Sequence, residues 1–133
     1  MDKTTVEKTK KTAGLYFKDI IGEKPYDLWK SFDKELANDL SLFITGKMYA
    51  REKLPHQTRQ LITVAALTAL SKTEELKLHI QAGLNVGCAA EDIAEVIFQT
   101  MTYAGVPAGN SALKALREVM EARAEKSRMS ENS

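Results

Sequence analysis

Between Leu54 and Pro107 the chain gathers four side chains whose types suit acid–base chemistry or the binding of an anion: Arg59, Glu75, His79 and Tyr103. Glu75 precedes His79 by four residues, so on a helix the two share a face and can hydrogen-bond. A carboxylate there would fix the imidazole tautomer and raise its pKa, as wanted in a proton carrier near neutral pH. Arg59 lies one turn before an apolar run and is placed either to face a protected cavity or to pair with Glu52 at the surface. The Tyr103 hydroxyl can donate into a cavity or serve as a buried structural group. A histidine on an apolar stripe is also a common core residue, so spacing alone does not assign a catalyst.

Other chemistries find little support. Two histidines and one cysteine without close spacing do not make a structural zinc site. Cys88 has no second thiol nearby and no cationic cluster around it, which argues against redox work. A single cysteine excludes an internal disulfide framework and fits a reducing cytoplasm. Lys+Arg 19 against Asp+Glu 18 leaves a net charge of +1, so no global field points to nucleic acid or an anionic membrane. The longest apolar run, Leu61 to Leu70, is too short to span a bilayer, and no apolar stretch follows Met1-Asp2-Lys3 as in a signal peptide.

The elements that must position these groups are helical throughout. The periodicities predict a single all-α domain of about six helices, with no strand signal. Thr4 to Ile21 forms the first, basic on its outer faces through Lys8, Lys10, Lys11 and Lys18, with Gly22 as a left-handed terminator. Pro25 suits the first turn of the second helix, whose stripe of Leu28, Trp29, Phe32, Leu36, Leu40 and Phe43 runs until Gly46 breaks it. Leu54-Pro55 opens the third. From Leu61 to Leu70 it is apolar nearly all round, which calls for burial on every side and suggests cover from another subunit.

Ser71 or Thr73 caps the fourth helix, Glu74 and Glu75 favour its positive end, and Leu76, His79, Ile80, Gly83 and Leu84 make its buried stripe up to Gly87. The fifth starts at Glu91 and Asp92 and stops at Gly105 and Pro107; Asn110 or Ser111 caps the last. We read residues 1–24 as an N-terminal helix, 25–122 as the main helical unit and 123–133 as a disordered tail lacking apolar periodicity.

Taken in order, Arg59-Gln60-Leu61, Glu75-Leu76-x-x-His79, Gly83-Leu84-Asn85-x-Gly87 and Tyr103-Ala104-Gly105-Val106-Pro107-Ala108 with Asn110 resemble the carboxymuconolactone decarboxylase family, over roughly residues 25 to 122. The resemblance implies the alkylhydroperoxidase D-like helical fold, a homo-oligomer (trimer or hexamer), and decarboxylation of a small lactone bearing two carboxylates. No metal or organic cofactor is implied, because the substrate is its own electron sink. By the same resemblance His79 is the proton donor, Glu75 its orienting group, Arg59 the carboxylate clamp and Tyr103 a donor to the oxyanion. The peroxidase branch of the superfamily needs Cys-x-x-Cys-x-x-x-His. Here Lys72 and Glu75 stand where those cysteines would be, so a thiol–disulfide cycle is not available. The alternative is a non-catalytic or differently catalytic oligomer on the same scaffold, with His79 and Glu75 as a buried polar pair that fixes subunit register. A catalytic pair should line a reachable cavity faced by Arg59, whereas a structural pair should be sealed and fully satisfied.

Overall fold

A computed structural model describes residues 3–132, which form seven α-helices and one π-helical segment, with no strand among them. They are α1 (Lys3–Tyr16), α2 (Pro25–Lys30), α3 (Lys34–Ser41), the π-helical segment Leu42–Tyr49, α4 (His56–Ala69), α5 (Thr73–Asn85), α6 (Ala90–Ala104) and α7 (Val106–Glu131). The all-α reading is correct. The count rises because the expected second helix is interrupted: Asp33, in extended backbone, accepts from the Leu36 amide at 3.0 Å and so starts α3 afresh.

The core lies where α4 to α7 meet. Val64 of α4, Leu76 and Ile80 of α5, Ile93 and Ile97 of α6, and Leu116 and Val119 of α7 are buried together. These are the three- and four-residue stripes of the sequence closing on one another. Gly87 (φ 99°) and Gly105 (φ 102°) end α5 and α6 in the left-handed region, where a side chain would be strained. Pro107 occupies the first turn of α7, which begins at Val106 and not at the expected cap Asn110 or Ser111, and its missing N–H there leaves no helical bond unmade.

α1 is bound into the same body by α5. The Asn85 amide donates to the Tyr16 and Lys18 carbonyls at 2.7 and 2.9 Å, while Gln81 accepts from the Ile21 amide at 2.8 Å and donates to its carbonyl at 3.1 Å. These bonds satisfy the carbonyls at the end of α1, which stops at Tyr16 rather than Ile21. α1 also lies against the π-helical segment. Gly46 does not break that segment; it is buried inside it at a point where a Cβ would come within 2.0 Å of Thr9 Oγ1.

Of the apolar run Leu61 to Leu70, Val64 is buried but Ile62 and Leu70 are exposed in the single chain, so the chain's own helices cover only part of it. α7 continues to Glu131, past Arg123, where a disordered tail was expected. Ala, Glu, Lys, Arg and Met are strong helix formers and need no buried stripe to extend a helix already begun, and Arg128 pairs with Glu125 one turn away at 2.6 Å.

The Gly46 contact yields a test of how α1 is held. Gly46→Ala should lower unfolding free energy by about 1–3 kcal/mol in urea titrations, because the new methyl must displace Thr9 or the backbone beside it. Thr9→Ala in the same chain should recover part of the loss. Equal stability of parent and Gly46→Ala would mean that α1 is not seated as described.

Candidate active site

His79 stands on the inner side of α5, next to Ile80 and one turn from Leu76, and most of its ring is removed from water. Its Nδ1 lies 3.0 Å from Gln60 Oε1 on α4. An amide oxygen can only accept, so this contact holds the ring with its proton on Nδ1 and its lone pair on Nε2. Burial is the main cause that pulls the imidazole down from 6.5 to about 4, while the negative charge of Glu75 pushes weakly the other way. The group is therefore a neutral imidazole at neutral pH and a base at Nε2, not the cation with a raised pKa that the Glu75 spacing suggested.

Glu75 does not orient the ring. Its side chain is exposed and makes no hydrogen bond to His79. Four residues on a helix advance slightly more than one turn, and with Leu76, His79 and Ile80 facing inward, Glu75 falls at the solvent edge. Gln60, fully buried on the neighbouring helix, takes its place. A buried glutamine amid an apolar helix was the one available signal, and it sits beside Arg59 in the sequence.

Two tyrosines close over the pair. The Tyr49 ring, from the π-helical segment, lies nearly parallel to the His79 ring at 6.3 Å and 22°. Its hydroxyl meets Thr63 Oγ1 at 2.7 Å; because Thr63 donates to the Arg59 carbonyl at 3.0 Å, Tyr49 is the donor in that pair. Tyr16, at the end of α1, packs edge-on against both Tyr49 and His56 and hydrogen-bonds to His56 Nδ1 at 2.5 Å. Its hydroxyl is pushed up to about 12, chiefly by burial, with the Gln60 amide alongside opposing the rise. That amide nitrogen lies near Tyr16 without hydrogen-bond alignment and has no partner.

His79, Gln60, Tyr16 and Tyr49 form one end of a half-open cleft of about 890 Å³ between α1, α2 and the π-helical segment. The imidazole is thus reachable from outside, as a catalytic histidine must be. Arg59 does not line the cleft. It is buried behind Gln60, donates from Nη2 to the Arg51 carbonyl at 3.1 Å, and leaves Nε without a partner. No ion pair among the described residues includes it, so the surface pairing with Glu52 is absent. Tyr103 stands apart: it is 87% exposed near the end of α6, and its hydroxyl does not enter the cleft. Cys88 is buried with its thiol pushed up by desolvation and by Asp92, which keeps it protonated and unreactive. Among the described residues no three His, Cys, Asp or Glu side chains gather where they could hold a metal ion, and no helix is long and apolar enough to cross a membrane.

The depressed histidine fixes the sign of a pH effect. In the unfolded chain the imidazole takes up a proton near 6.5, but in the fold only near 4, so the unfolded state binds more protons between these values. Stability contributed by the neutral ring is complete above the upper value and is lost as pH falls toward the lower one. The loss should be on the order of 3 kcal/mol. Urea unfolding at stepped pH, compared between the parent and His79→Phe, should show a shallower acid-side slope in the variant. Identical slopes would contradict the desolvated imidazole.

The model of the "Carboxymuconolactone decarboxylase family" matches residues 34–118, a span that holds Gln60, Arg59 and His79 but not α1 or Tyr16. A 4-carboxymuconolactone decarboxylase of Acinetobacter baylyi is 34% identical over 107 residues, 77% of this chain and 80% of the relative. An uncharacterized 15.0 kDa protein from the nqo9-nqo10 intergenic region of Paracoccus denitrificans is 36% identical over 76 residues, 56% of this chain and 57% of the relative. With the family model spanning well over half of its length, this chain belongs to the carboxymuconolactone decarboxylase family.

Proposed function

We propose that this protein is a cofactor-independent carboxy-lyase that decarboxylates a small carboxylated lactone, 4-carboxymuconolactone-like, with His79 as the group that delivers the proton. The observation that carries this reading is the desolvated, Gln60-held imidazole at the inner end of an open cleft, in a chain similar over most of its length to a decarboxylase of that substrate.

The reaction would proceed as follows. The bond between the ring carbon and its carboxylate breaks heterolytically and CO₂ departs. The electron pair it leaves delocalises through the ring double bond into the lactone carbonyl, giving a dienolate. A proton then adds to the ring carbon. His79 is neutral in the free protein, so it must be charged before it can give that proton. A bound dianion beside Nε2 raises the imidazole pKa by direct attraction, and the proton enters with the substrate. The Gln60 carbonyl accepts from Nδ1 in both states and keeps Nε2 aimed at the cleft. Glu75 contributes through its charge, by favouring the imidazolium.

Arg59 can serve as the carboxylate clamp only if its side chain turns from the Arg51 carbonyl toward the cleft, which it does not line. A buried guanidinium with an unpartnered Nε and no counter-ion is short of an anion, and a substrate carboxylate drawn toward it would supply one. Tyr103 can act as an oxyanion donor only where a second subunit brings it to a cleft. The exposed apolar side chains Phe43, Ile62, Leu70 and Phe98 favour such an assembly, a trimer or hexamer. The lone, buried Cys88 suits a reducing cytoplasm. Aromatic-compound degradation is the setting in which a lactone of this kind would arise.

Purified protein should release CO₂ from 4-carboxymuconolactone and should run as a trimer or hexamer by light scattering. His79→Ala, still folded and assembled, should lose turnover by roughly 10²–10⁴-fold, and Glu75→Gln by about fivefold or less. Full activity in His79→Ala would overturn the assigned proton donor, and an inert parent would overturn the substrate.

A further inference from the structure

The proposed substrate carries two carboxylates, and the reaction removes one and keeps the other. A cation paired with the departing carboxylate would stabilise it in the ground state and oppose the loss of CO₂. The retained carboxylate has no such conflict. Its charge is the same before and after the bond breaks, so a cation can hold it without raising the barrier. The lysines that line the cleft all come from the N-terminal segment: Lys10 on α1, and Lys18 and Lys24 in the connection to α2.

Helical register separates these lysines from their neighbours. Val6, Lys10 and Ala13 of α1, with Phe17 just past its end, follow at three- and four-residue steps and wall the cleft. Lys8 and Lys11 fall on another side of the helix and line a separate hollow with Leu15 and Arg51. Lys10, Lys18 and Lys24 are exposed and enter no ion pair among the described residues. The one acid among the cleft-lining residues, Asp27, has Lys30 at 4.0 Å as its counter-charge. Three lysines therefore face the cleft without an anion, in a chain whose net charge is only +1.

We propose that Lys10, Lys18 and Lys24 determine the specificity of the site: they hold the carboxylate that the reaction retains and leave the departing one to the His79 side. The inference rests on the assignment of this cleft as the substrate site. It adds that the N-terminal segment, outside the family's matched residues 34–118, selects a diacid. An exposed charge pair contributes about fivefold or less to affinity, so the three lysines together should contribute roughly tenfold or more.

Kinetics on 4-carboxymuconolactone separate this role from a part in the chemical step. Lys10→Gln, Lys18→Gln and Lys24→Gln combined should raise KM by roughly tenfold or more. Because the lost interaction is equal in ground and transition states, kcat should stay within about twofold. Added salt should raise the parent's KM and move that of the triple variant much less. Lys8→Gln with Lys11→Gln should leave both constants within about twofold of the parent. An unchanged KM in the triple variant, or a fall in kcat in its place, would overturn the inference.

Binding can be followed without turnover through Trp29, the chain's one tryptophan, which lines the cleft, with calorimetry alongside. Cyclopentane-1,3-dicarboxylate should bind about tenfold more tightly than cyclopentanecarboxylate, and the triple variant should lose that preference. A parent that binds both acids alike, or neither, would overturn the lysine assignment, as would a triple variant that keeps the preference. A parent that prefers the diacid through these lysines yet releases no CO₂ from the lactone would leave the assignment standing and sink the proposed reaction.

Discussion

The hydrogen bond from His79 on α5 to Gln60 on α4 is the interaction on which the rest of the site depends. It lies at the edge of an apolar core, where a polar group without a partner is costly. One amide oxygen therefore does three things together. It stabilises the burial of an imidazole, it selects the tautomer, and it fixes which nitrogen faces the cleft. Neither helix can rotate without breaking it, because Leu76 and Ile80 on one side and Val64 on the other are locked into the core shared with α6 and α7. The chemistry available to the ring follows from that packing: desolvation makes it neutral, and only an anion brought beside it makes it an acid.

α1 converts this buried pair into a site. Without it the cleft would lack a wall. Tyr16 would not cover His56 and Tyr49, and the ring of His79 would be wetter and less perturbed. The attachment is polar on one side, through Gln81 and Asn85, and steric on the other, at the Thr9–Gly46 approach. α5 therefore supplies both the imidazole and the two side chains that hold the helix above it. This gives the N-terminal helix, whose lysines looked like an unrelated basic face in the sequence, a place in the architecture. Lys10 and Lys18 lie where the cleft is lined, although the family's matched span does not include them.

What could be read from the sequence is what helical periodicity and ordered motifs carry. The stripes of α5 and α6 and the terminators Gly87 and Gly105 follow from local rules, and the family follows from the order of the Arg59, His79 and Tyr103 segments. Partners across helices do not. Gln60 lies nineteen residues before His79, and nothing in local spacing joins them. Glu75 was the obvious neighbour, yet a four-residue step overshoots a turn and leaves it in solvent. The place of Tyr16 as the roof of the site was not legible, because it depends on bonds to residues almost seventy positions away. The interruption at Asp33 and the π-helical continuation through Gly46 were hidden beneath an unbroken apolar pattern, since periodicity records which face is inward and not where hydrogen bonds change register.

In the free protein His79 is a neutral, Nδ1-protonated base. Nitrogen-15 and proton NMR of the imidazoles tests it most directly, and the chain has only two histidines to assign. The expected ring is Nδ1-protonated, with its lone pair on Nε2 and a midpoint near 4, moving upward when a carboxylate ligand occupies the cleft. A His79 that titrates at the ordinary value of 6.5, or a ring protonated on Nε2 that ignores added acids, would contradict it.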